Sequence, residues 1–144
     1  MRLAEADARR RFAQARVARL ATVSAQGTPH VVPCTFAVDG EMIYSAVDAK
    51  PKSTTNLQRL ANIAANPSVT VLTDHYDENW SALWWVRADG QASIIEDAGA
   101  MAGPITLLAA RYPQYLASPP GGPVVAIRVS RWAGWSAALA GRLL

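Results

Sequence analysis

Cysteine and histidine are almost absent from this chain of 144 residues. The one cysteine, Cys34, excludes an intrachain disulfide and any zinc cage built from cysteines. The two histidines, His30 and His75, provide no spacing typical of a histidine-rich metal site. We therefore expect no bound metal.

Long apolar runs are also missing, since each one stops well short of the roughly 18 residues that a transmembrane helix needs. The amino-terminal segment carries several arginines and lacks the apolar stretch of a signal peptide. Hydrophobic residues make up 51% of the chain and charged residues 17%, which excludes disorder. We expect one domain over residues 1–144, located in the cytoplasm.

Lysine is scarce as well: of 14 basic residues, only Lys50 and Lys52 are lysines. The arginines are scattered and the net charge is +3, which favours neither a nucleic-acid nor a membrane partner. The lysines lie in a polar loop with Ser53, immediately before a predicted helix. A helix start exposes unpaired N–H groups, so this loop is either an anion site or a pair of solvated charges.

Periodicity and turn residues predict a mainly β protein with flanking helices. Strands are expected over residues 18–24, 30–38, 41–47, 68–73, 83–95 and 124–130, and helices over residues 2–16, 54–65 and 97–111. Pro33 predicts that its strand lies at an edge of the sheet or contains a bulge. The Asp–Gly pair at 89–90 predicts either a tight turn between two strands or a bulge within one long strand. Ser53 or Thr54 is expected to cap the second helix. Residues 112–123 are expected to form a loop.

Hairpin-connected strands favour a barrel or a sandwich, and the lack of regular strand–helix alternation argues against a Rossmann fold. Five tryptophans are many for this length. Trp84 and Trp85 are adjacent on a strand and face opposite ways, so one of them leaves the core for an interface or a ligand groove. The pattern does not decide whether Trp132 and Trp135 line that groove or seal a dimer.

Catalytic side chains are not evident. His30 and Cys34 share a strand face, where they form either a thiol–imidazole pair or part of an inert core. An anion site beside apolar surfaces, without acid–base residues, fits a protein that holds a phosphorylated, ring-bearing cofactor and leaves the chemistry to it.

The ordered motifs ARLATVS at 18–24, GTPHVVP at 27–33, KPKS at 50–53, WWVRADGQA at 84–92 and RYPQY at 111–115 carry a family resemblance. Together they resemble flavin and deazaflavin oxidoreductases of the pyridoxamine 5′-phosphate oxidase-like split β-barrel superfamily, in particular the probable F420-dependent branch. Pyridoxamine phosphate oxidases carry an Arg–Lys pair at the phosphate loop and a carboxy-terminal Trp-Arg-…-His clamp. This chain has KPKS and no histidine after position 75, so we do not expect it to oxidise pyridoxamine phosphate.

The resemblance implies a homodimer with cofactor sites between the subunits. It implies that two strands contact the cofactor ring, that the lysine loop contacts the cofactor phosphate, and that a third strand approaches the cofactor from one or the other subunit. The residues are His30, Val31, Val32, Pro33, Tyr44, Ser45, Ala46, Val47, Lys50, Lys52, Ser53, Trp85 and Arg87. The expected activity is hydride transfer between F420 and a small organic acceptor that the sequence does not name. The alternatives are an FMN-dependent oxidoreductase and a non-catalytic flavin, haem or tetrapyrrole-binding protein of the same fold.

Overall fold

The computed structural model describes residues 1–47 and 57–138. Within these residues it contains seven strands, namely β1 (Ala18–Val23), β2 (Pro29–Cys34), β3 (Ala37–Asp39), β4 (Met42–Ala46), β5 (Ser68–His75), β6 (Trp84–Ile95) and β7 (Val124–Ser136). The described helices are α1 (Glu5–Gln14), α2 (Gln58–Ala65), α3 (Ala98–Arg111) and α4 (Pro113–Ala117), with a 3₁₀ turn at Trp80–Ala82. None of the described helices is long and apolar enough to cross a membrane.

The seven strands form one antiparallel sheet in the order β2-β1-β5-β6-β7-β4-β3. This arrangement confirms the predicted fold class, mainly β with flanking helices and consistent with a split barrel. Strand β2 lies at an edge of the sheet, which was one of the two outcomes predicted from Pro33, because proline has no N–H to offer a further neighbour.

The Asp–Gly pair inside β6 forms a bulge, which was one of its two predicted outcomes. The pairing register between β6 and β7 shifts between Asp89 and Gly90. Glycine is needed there because a Cβ atom at position 90 would collide with the backbone carbonyl of Arg128. A bulge bends its strand and increases the local twist, which helps a long sheet to curl.

The predicted single strand over residues 30–38 is wrong, because it is interrupted between β2 and β3. At Phe36 the backbone does not pair with a neighbouring strand; it forms hydrogen bonds with the side chains of Arg111 and Tyr112, at the end of α3. The Phe36 amide donates to the Tyr112 hydroxyl at 3.1 Å, and Arg111 Nη1 donates to the Phe36 carbonyl at 2.8 Å. These contacts span more than 70 residues, so a local pattern could not indicate them.

Other predicted boundaries also need correction. Leu57 is extended and occupies the N-cap of α2, so this helix begins at Gln58, and the predicted cap by Ser53 or Thr54 is wrong. The predicted loop over 112–123 contains α4, whose Pro113 suits the first turn of a helix. Helix α1 is shorter than predicted, and β7 runs on to Ser136.

The core consists of two clusters on either side of the sheet. The larger cluster fills the curled sheet and is closed by α1, whose fully buried Phe12 lies 4.9 Å from the Phe36 ring and 5.2 Å from the Trp132 ring, centroid to centroid. The smaller cluster lies under α3, with Leu108 and Val124 fully buried. Trp132 therefore packs against the core.

Candidate functional site

A cavity of about 300 Å³ opens where β2 and β4 end and α2 begins; we call it the strand-end cavity. It adjoins both residues that border the undescribed lysine loop, Val47 and Leu57. Four of its lining residues belong to the set predicted to contact the cofactor. The lining residues are Val17, Pro33, Cys34, Thr35, Ser45, Ala46, Val47, Leu57, Arg59 and Tyr115.

Arg59 is the cationic side chain of the strand-end cavity among the described residues. It lies in the first turn of α2 and is half-buried. No carboxylate of the described residues pairs with it, in contrast to Arg9 and Arg10, which pair with acidic residues of α1. A guanidinium in a cavity at the amino-terminal end of a helix favours an anionic ligand such as a phosphate or a carboxylate.

Ser45 and Cys34 form the polar floor of the strand-end cavity. Ser45 is buried, and its hydroxyl donates to the Thr35 carbonyl at 2.8 Å, which fixes the side chain across the cavity floor. Burial raises the pKa of the Cys34 thiol, although the hydrogen bond with Ser45 and the nearby charge of Arg59 act in the opposite direction. The thiol is therefore protonated near neutral pH and is a poor nucleophile there.

The structure does not join His30 and Cys34 into a catalytic pair. Both side chains lie on the half-buried side of β2. A strand rises about 3.3 Å per residue, so four residues separate their backbones by roughly 13 Å, too far for a direct hydrogen bond. The Nδ1 atom of His30 is buried and has no hydrogen-bond partner among the described residues.

A second cavity, of about 530 Å³, lies on the outer face of the sheet; we call it the sheet-face surface. The Arg87 guanidinium lies 5.7 Å from the Trp85 ring centroid and within 3.4 Å of Asp89. Trp135 is directly opposite Trp85 across the β6–β7 ladder, so both rings lie on this outer face. The lining residues are Arg19, Ala21, Val31, Thr70, Leu72, Asp74, Trp85 and Arg87.

Trp84 and Trp85 do face opposite ways, since Trp84 packs against the core and Trp85 lines the sheet-face surface. The large exposed apolar side chains of this outer face include Val31, which is 61% exposed, and Leu72 and Trp135, each 37% exposed. Such a face has the character of an interface.

The other predicted cofactor residues are spread over different places. His30 and Val32 lie on the half-buried side of β2, whereas Val31 and Pro33 are exposed. Tyr44 packs against the smaller core cluster below α3. Lys50, Lys52 and Ser53 lie outside the described residues.

Among the lining residues of the strand-end cavity that sequence reasoning did not select, Arg59 and Tyr115 carry polar groups that bear on binding. Arg59 was grouped with the scattered arginines, although its position six residues after Ser53, within the helix predicted over 54–65, was a usable signal. Tyr115 belongs to α4, which was predicted as loop, and its hydroxyl is 3.0 Å from Thr35 Oγ1. Across the described ranges, no group of three or more His, Cys, Asp or Glu residues is arranged to hold a metal ion.

Comparison with solved structures shows the same fold in several bacterial proteins. A conserved hypothetical protein from Mycobacterium tuberculosis matches with a TM-score of 0.73 and 23% identity, over 94% of this chain and 86% of that one. An FAD-binding protein from Mesorhizobium loti matches with a TM-score of 0.71 and 21% identity, over 93% of this chain and 95% of that one. The haem storage protein HutZ from Vibrio cholerae matches with a TM-score of 0.69 and 19% identity, over 93% and 95%.

A search of curated protein sequences finds no significant match. The family model described as pyridoxamine 5′-phosphate oxidase matches residues 4–136, which is nearly the whole chain and includes every strand of the sheet. The chain therefore belongs to the pyridoxamine 5′-phosphate oxidase family.

Proposed function

We propose that this protein is a homodimeric oxidoreductase that binds coenzyme F420 and transfers a hydride between it and a small organic acceptor. The observation that carries the proposal is the strand-end cavity, where four predicted cofactor residues line a cavity that also contains Arg59, a cation without an acidic partner among the described residues. F420 itself would supply the redox-active deazaflavin ring.

The charges around the strand-end cavity support an anionic cofactor. F420 carries a phosphodiester and a polyglutamate tail, and both need cationic partners. Arg59 lines the cavity, and Lys50 and Lys52 lie in the sequence between Val47 and Leu57, two residues that also line it. An extended acidic tail suits separate cations along a channel, whereas the terminal phosphate of FMN needs a compact, highly charged cradle.

The sheet-face surface supports a dimer. Val31, Leu72 and Trp135 expose apolar surface on one side of a single chain, and a second copy of the chain would remove this surface from water. In such a dimer the strand with Trp85 and Arg87 approaches the cofactor from one or the other subunit, as the family resemblance implies. The protein then orients the ring and excludes water from it.

A flavin or haem carrier is the second candidate. It is supported by the structural likeness to an FAD-binding protein and to a haem storage protein. The two candidates differ in turnover, since a carrier binds its ligand without oxidising or reducing a second molecule.

The lysine loop provides a direct test of the first proposal. We expect Lys50→Ala with Lys52→Ala to weaken F420 binding by about a hundredfold, because two charge-assisted contacts are lost. Isothermal titration measures the affinity, and Arg128→Ala, which removes an exposed charge from β7, is the control. Unchanged affinity in the double variant would contradict the anion site. Tight binding of reduced F420 without oxidation by any of a panel of quinone, enone and nitroaromatic acceptors would contradict the oxidoreductase.

A further inference from the structure

A third cavity, of about 530 Å³, lies at the end of the curled sheet beside α1, away from the strand-end cavity; we call it the barrel-end cavity. It is lined by residues of α1, the β5–β6 connection and the end of β7, including Arg11, His75, Asn79, Trp84 and Ser136. Its size is typical of small-molecule sites.

Arg11 differs from its two neighbours in the run of three arginines on α1. Arg9 lies 3.8 Å from Glu5, and Arg10 lies 2.6 Å from Asp7. Arg11 has no acidic partner among the described residues, and its Nε atom is shielded from water without a hydrogen-bond acceptor. A buried N–H of a charged guanidinium without an acceptor is costly, so an acceptor supplied by a ligand would stabilise it.

Aromatic rings form the wall next to this guanidinium. The Arg11 guanidinium carbon is 5.6 Å from the centroid of the Trp84 ring. The His75 ring is nearly parallel to Trp84, with an interplanar angle of 17° and a centroid distance of 6.2 Å. A flat apolar ligand body would replace water against these rings, while its charged end faces Arg11.

We propose that the barrel-end cavity binds a small planar organic anion, of the class of aromatic carboxylates. The carboxylate accepts hydrogen bonds from Arg11, including one from the unpaired Nε–H, and the ring of the ligand packs against Trp84 and His75. The planar fork of a guanidinium matches a carboxylate in this way. The site does not depend on F420, because none of its lining residues belongs to the strand-end cavity.

Benzoate is the probe, and isothermal titration of the cofactor-free full chain is the measurement. We expect a benzoate Kd below about 1 mM. Benzamide has the same shape without the charge, and inorganic phosphate has charge without a ring, so both should bind at least about tenfold more weakly. The proposal would be overturned if benzamide or phosphate bound as tightly as benzoate. It would also be overturned if no benzoate binding were detected at about 10 mM, ten times the expected upper limit of the Kd.

A matched pair of variants locates the site. Arg11→Gln should weaken benzoate binding at least about tenfold, whereas Arg10→Gln removes the same charge from the same helix and should leave it unchanged. The double variant Lys50→Ala with Lys52→Ala should bind benzoate normally, which separates this site from the proposed cofactor site. Equal binding by the Arg11→Gln and Arg10→Gln proteins would place the ligand elsewhere.

Discussion

Replacement of Arg59 by glutamine tests the anion-binding role of the strand-end cavity. Arg59 is half-buried, lines the cavity and has no acidic partner among the described residues, so the change removes a proposed ligand contact and breaks no ion pair within that part of the chain. A hydrogen bond to a charged group contributes about 1.5–3 kcal/mol, and partial exposure places Arg59 near the lower end. We therefore expect F420 affinity to fall by about 10–30-fold.

Isothermal titration of F420 into the cofactor-free protein measures this loss, and thermal unfolding shows whether the fold is intact. Arg59→Lys retains the charge and should lose less affinity than Arg59→Gln. Arg128→Gln, which removes an exposed charge from β7, should leave the affinity unchanged. The reasoning is refuted if the Arg59→Gln protein unfolds at the same temperature as the unaltered protein and binds F420 within about twofold of it.

Three further predictions concern the bulge, the thiol and the outer sheet face. Gly90→Ala should lower the free energy of unfolding, measured in urea, by about 1–3 kcal/mol, because the added Cβ would meet the backbone of Arg128. Gly103→Ala, where the added Cβ has open space, should not lower it. Equal stability of the two variants would disprove the bulge argument. Because burial raises the pKa of Cys34, its thiol should react with iodoacetamide more slowly than a free cysteine at neutral pH. The reaction rate should keep rising above the pH at which a free thiol is already ionised. A rate that levels off at or below that pH would contradict the raised pKa. Leu72→Asp should convert the proposed dimer to a monomer in analytical ultracentrifugation. Leu116 is 69% exposed on α4, away from this face, so Leu116→Asp should remain dimeric. A dimeric Leu72→Asp protein would rule out the sheet-face surface as the interface.

Local patterns were sufficient for most of the fold. Alternating apolar residues located the strands, and the edge position of β2 was one of the two outcomes predicted from Pro33. Errors arose where contacts distant in sequence decide the structure: Arg111 and Tyr112 interrupt the predicted strand at Phe36 from more than 70 positions away. The Asp–Gly bulge depends on the close approach of a neighbouring strand at Arg128, which a sequence pattern does not reveal.

The candidate site could be predicted only in part. Residue types predict an anion site at the lysine loop, which lies outside the described residues and stays a prediction, whereas four predicted residues, Pro33 and 45–47, do line one cavity. The contribution of Arg59 depends on where α2 begins, and the cavity wall at Tyr115 depends on a helix within a segment rich in proline and glycine. Strand alternation predicted that one of Trp84 and Trp85 leaves the core but not which one, and the pairing of Trp85 with Trp135 depends on the β6–β7 register.

The most direct test of the F420 proposal is a parallel titration of the cofactor-free protein with F420, FMN and haem, followed by intrinsic tryptophan fluorescence. We expect F420 to bind at least about tenfold more tightly than FMN or haem. Tighter binding of FMN would assign the strand-end cavity to a flavin, and tighter binding of haem would assign the protein to the carriers. Either result would contradict the proposed F420-dependent function.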